Sequence, residues 1–158
     1  MKLKVFVLAL VVAFVSSCGD NAKKEEVTST PAVEKKEVIE VVDPLQDKGI
    51  GPVSNLVLEE IDEAMVTAGK EIFKAKCSAC HKISKRVVGP ALAGITERRS
   101  PEWIMNMILN PEEMVSENQI AKELLAEYLA PMANQNLTEK EARLILEYFR
   151  TKTSSKDE

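Results

Sequence analysis

The sequence predicts an all-α domain of about four helices. Three observations predict it: apolar residues recur at three- and four-residue steps, capping and proline signals punctuate those stretches, and no segment sustains the two-residue alternation of a half-buried strand. From Glu59 to Lys76, Ile61, Met65, Ala68, Ile72 and Ala75 share one helical face. Gly69 interrupts that stretch, which weakens a helix unless another backbone comes close. Ser100-Pro101 reads as an N-cap and a first-turn proline for PEWIMNMIL, ending at Asn110-Pro111. Ser116 and Gln119 have capping-box spacing ahead of Ile120, Leu124 and Tyr128, and Pro131 stops that run. Thr138 and Glu141 open the last helix, with Ala142, Ile145, Leu146 and Phe149 at i, i+3, i+4 and i+7.

These helices occupy residues 56–152, one small domain, with a disordered tail expected over 153–158. Residues 1–17 read as an export signal: Lys2 and Lys4 precede an apolar run, Val5 to Val15, too short to span a bilayer. VSSC at 15–18 resembles a bacterial lipobox, which implies a lipidated Cys18 and a protein anchored on the periplasmic side of a membrane. Losing Lys2 and Lys4 takes the 21 basic side chains to 19 against 25 acidic, a net charge of −6 that argues against nucleic acid as partner. Residues 18–55 have no aromatic residue and mixed charge runs, the composition of a flexible tether. The domain itself has only five aromatic residues, Phe73, Trp103, Tyr128, Tyr148 and Phe149, so its core needs another apolar component.

The stretch KCSACHKI at 76–83 contains Cys77, Cys80 and the chain's single histidine, His81. Two thiols at this spacing serve thioredoxin-like redox chemistry, structural zinc, or covalent haem attachment. The first expects a strand-to-helix junction, and no strand is evident. Zinc wants four ligands, and only three are clustered. C-x-x-C-H is the specific signal for haem c: two thiols add to the porphyrin vinyl groups, and the adjacent imidazole faces the iron. Such a group would also fill the core.

Residues from about 63 to 150 resemble a class I monohaem cytochrome c, through GKEIFKAKCSACHKI, GPALAGI, PEWI and PMANQNLTEKEARLILEYF. The resemblance implies helices wrapped around one covalent haem, with first and last helices crossing where Gly69 and Phe73 meet Tyr148 or Phe149. It implies Met132 as the second axial ligand, although proline precedes this methionine where the family pattern has it following. It also implies that Pro90 accepts the His81 Nδ1–H, and that Trp103 with Arg98 or Arg99 hydrogen-bonds a haem propionate.

One histidine excludes a bis-histidine monomer, leaving a methionine, a lysine, another group or an open position for the sixth ligand, with Met132 placed ahead of Met114 or an open site. Met65 reads as core, as does one of Met105 and Met107. Histidine and methionine ligation implies an electron carrier rather than an enzyme. It would take electrons from a quinol-oxidising complex or another cytochrome and deliver them to a terminal oxidase or a reductase such as nitrous oxide reductase in a respiratory chain. The competing reading is a haem enzyme or gas sensor with an open sixth position. Lys70, Lys74, Lys76, Lys82, Lys85 and Arg86 against only Glu71 suggest a basic rim that steers docking.

Overall fold

The computed structural model describes residues 43–154. The fold is all-α, and among the described residues it has six helices: α1 (Glu63–Lys76), α2 (Ile95–Arg98), α3 (Pro101–Leu109), α4 (Pro111–Glu117), α5 (Gln119–Tyr128) and α6 (Glu139–Arg150). Cys18 and the signal segment lie outside the described residues.

The first helix starts later than its periodicity suggests, because the Asp62 carboxylate accepts from the backbone of Ala64 and Met65. Its inward face is also rotated. Gly69 and Phe73 are its buried residues, Ala75 is exposed, and Met65 is half-buried outside the core. The cause is the crossing with α6, the most extensive helix pair, which comes closest at a residue with no side chain. Phe73 then packs on Tyr148 and Phe149, with ring centroids 5.6 and 5.7 Å away. Each such side chain, fully buried, contributes about 1.5–3 kcal/mol.

Ser100 caps α3 by accepting from the Trp103 N–H, as expected. Pro111 does more than end α3, since it is the first residue of a further short helix, α4. Ser116 therefore lies inside α4, and the true cap of α5 is Asn118, whose side chain accepts from the Ala121 N–H. Thr138 and Glu141 form a full capping box on α6, and Ala142, Ile145, Leu146 and Phe149 are all buried.

The expected tether boundary at residue 55 is corrected. Val53 is buried, and its N–H and carbonyl both pair with the side-chain amide of Asn106 on α3. The same amide donates to the Lys48 carbonyl, while the Leu56 N–H donates to Glu102. Residues 47–56 thus form a strap across α3. Burial of backbone groups requires partners, and here long-range side chains supply them. Ser154, expected in the tail, is held in place, since its N–H donates to Glu97 at 3.0 Å, and residues 155–158 of the expected tail lie outside the described residues.

Candidate functional site

The C-terminal end of α1 turns sharply through the cysteine stretch. The Cys77 carbonyl accepts from the N–H groups of both Cys80 and His81, at 3.1 and 3.0 Å. This tight turn brings Cys77, Cys80 and His81 to one cavity, and both thiols are free of disulfides. Burial pushes the Cys77 thiol up to about 11.

The segment after His81 folds back over it. The Gly89 N–H donates to the Cys80 carbonyl, and the Leu92 and Ala93 N–H groups reach back to Ile83. This places the Pro90 carbonyl 3.2 Å from His81 Nδ1, so that Nδ1–H donates to it and Nε2 is left with its lone pair. Burial lowers the His81 pKa against the opposing pull of that hydrogen bond, which keeps the imidazole neutral and able to act as a donor. Gly89 has no room for a side chain, because a Cβ there would overlap the His81 ring.

The remaining wall comes from α3, α5, α6 and the loop before α6. Trp103, Met107, Leu124, Ile145, Phe149 and Met132 contribute to it. Met107 is the residue that sequence reasoning missed, and its position one turn after Trp103 was the available signal. Met114 is excluded as an alternative ligand. It is fully buried away from the cavity, with its sulfur accepting from the Ile50 N–H at 3.0 Å. Met105 is core, and Met65 does not line the cavity.

Among the groups expected to meet an acidic substituent, Trp103 and Arg98 have protein partners. Trp103 lines the cavity, but its indole N–H donates to Asn118 Oδ1 at 3.1 Å. Arg98 is exposed and donates to the carbonyls of Ala93 and Ala91. Both donate to protein acceptors. Arg99 differs: its guanidinium lies 5.3 Å from the Trp103 ring centroid, and its buried Nε has no partner. Two thiols, a neutral imidazole, a thioether, an apolar wall and one orphaned cationic donor suit a large apolar group that bears a metal and an acidic edge.

The cytochrome c family model matches residues 66–153. The chain belongs to the cytochrome c family. A covalently attached c-type haem is therefore its cofactor, and haem-based electron transfer is its class of function. Among solved structures, the cytochrome c of Rhodothermus marinus is 43% identical, with a TM-score of 0.63 over 64% of this chain and 88% of that one. An engineered form of the R. marinus cytochrome c, Rma TDE, is 40% identical, with a TM-score of 0.64 over 66% and 92%. The same engineered protein described as bound to a carbene intermediate is 42% identical, with a TM-score of 0.61 over 66% and 92%. No curated protein matches the chain.

Proposed function

We propose that this family member is a membrane-anchored monohaem carrier of single electrons. The observation that carries the reading is one cavity to which Cys77, Cys80, His81 and Met132 all contribute. In this reading Cys77 and Cys80 hold the haem covalently, and His81 and Met132 ligate its iron. The bound haem supplies one-electron cycling between ferrous and ferric iron. Pro90 orients the imidazole through Nδ1, Arg99 offers its free Nε to an acidic edge, and the apolar wall from α3, α5 and α6 excludes water.

The carrier would receive electrons from a quinol-oxidising complex or another cytochrome and pass them to a terminal oxidase or reductase. Lipidation at Cys18 would hold it at the periplasmic face of a bacterial membrane. A Cys18→Ser chain should then leave the membrane fraction, and its retention there would end the anchoring idea.

The main experiment compares optical spectra of the native protein and Met132→Ala. A low-spin native spectrum whose far-red methionine band vanishes in the variant supports the axial pair. A second reading, catalysis at an open iron, draws support from the engineered R. marinus relative described with a bound carbene. Ready binding of carbon monoxide by the native reduced protein would favour that reading and sink the carrier.

A further inference from the structure

Trp103 is held at both ends by groups that converge on one residue of the N-terminal strap. Its backbone N–H donates to Ser100 Oγ at 3.0 Å, and Ser100 in turn donates to the backbone carbonyl of Asp47. Its indole N–H donates to Asn118 Oδ1, and Asn118 Nδ2 donates to Asp47 Oδ2 at 2.7 Å. Asn118 is buried and also caps α5, so the carboxylate of Asp47 fixes the orientation of that amide. The other Asp47 oxygen accepts the Gly49 N–H at 2.8 Å, which pins the carboxylate.

Asp47 also acts by charge. Arg99 lies over the ring of the same indole, 5.3 Å from its centroid, and its ionisation is weakened by burial and by Arg98 while Asp47 and Glu123 work in the opposite direction. One strap residue thereby orients an aromatic wall of the cavity and supports the cation beside it.

We propose that Asp47 is a positioning residue for the haem site, acting through Asn118 and Ser100 on Trp103 and by charge on Arg99, and that it holds down the reduction potential. The inference rests on haem occupying the cavity lined by His81. Oxidised iron carries one more positive charge than reduced iron, so a nearby carboxylate favours the oxidised state and its removal favours the reduced one. The strap is thus part of the redox site, although it touches none of the ligands.

The test is a spectroelectrochemical titration of the full-length protein, native and Asp47→Asn. The substitution keeps the side chain's shape and one of its two acceptors, so the far-red band should persist while the potential rises. Asp43→Asn is the control, an exposed carboxylate just before the strap that accepts from the Leu45 N–H, and its shift should be clearly smaller. An unmoved potential in Asp47→Asn, or equal shifts in the two variants, overturns the proposal. Should Asp47→Asn fail to accumulate, Asn118→Thr keeps a capping oxygen and removes the amide that reaches Asp47. Its potential should then be displaced and its indole N–H should exchange faster, and finding neither also overturns the proposal. A native protein with no c-type haem spectrum would overturn this inference together with the haem-site reading, before any variant is compared.

Discussion

Gly69 on α1 meets the backbone carbonyl of Leu144 on α6 with no space for a side chain between them. A Cβ on Gly69 would lie far inside contact with that oxygen. Two helix backbones cannot separate there without unpacking Phe73 from Tyr148 and Phe149. Gly69→Ala should cost about 3 kcal/mol or more, read as a lower denaturant midpoint of the haem-loaded protein. A change under roughly 0.5 kcal/mol would mean that the crossing yields easily.

Glu147, also on α6, is fully buried and paired with Arg143, Arg150 and the Asp62 N–H. Removing its charge leaves two arginines facing an uncompensated site, so Glu147→Gln should destabilise by about 2–4 kcal/mol at neutral pH, below the full buried-pair value because both arginines keep some solvent contact.

The same carboxylate gives an acid signature. Burial pushes its pKa up, but the two arginines and the Asp62 N–H outweigh that and hold it below the usual range. Its stabilisation is therefore complete above the unfolded carboxylate value of about 4.3 and is lost as pH falls through the lower folded value. Urea midpoints of the native chain and Glu147→Gln should converge under strongly acid conditions. A gap that stays constant from pH 7 downward would exclude the linkage.

Space beside His81 is as tight as at the crossing. Gly89→Ala places a methyl group on the imidazole, so the ring must tilt or Pro90 must move. A mixed or high-spin spectrum and a lower Tm are expected, whereas an unchanged spectrum would show that the 89–90 backbone shifts freely.

Met107 and Met132 both line the cavity, yet only Met132 sits on an irregular loop able to deliver its sulfur without disturbing a helix. Met107→Leu should keep the far-red band and cost less than about 1.5 kcal/mol. Loss of the band in that variant would transfer the ligand role to the helix methionine.

The basic rim is smaller than its residue count. Arg86 is engaged by Glu127 at 3.5 Å and by the ring of Tyr128, while Lys70, Lys74, Lys76, Lys82 and Lys85 are exposed. Electron transfer to an acidic partner should slow several-fold between low and physiological salt, and Lys82→Glu should flatten that dependence. Stopped-flow rates that ignore salt would remove the steering role.

Local chemistry was readable in the sequence. The C-x-x-C-H step, the Ser100 cap with Pro101, and the Thr138 capping box each depend on residues within one or two turns, so their spacing alone carries the signal. The buried face of α6 was equally legible, because its apolar residues follow the helical period. The face of α1 was not, since the closest contact falls on Gly69, which adds nothing to hydrophobic periodicity.

By itself, then, the sequence determined the helical class and, through the C-x-x-C-H step, the cofactor chemistry with Cys77, Cys80 and His81, which reside in short-range patterns, while Met132 rested on the family resemblance. Only the tertiary structure decided that residues 47–56 are a strap, that Trp103 donates to Asn118 and that Arg99 keeps a free donor. Asp47 and Asn118 are 71 positions apart, and each alone looks like an ordinary loop residue. Their pairing arises because folding brings a half-buried carboxylate to a buried amide, where each becomes the partner of the other.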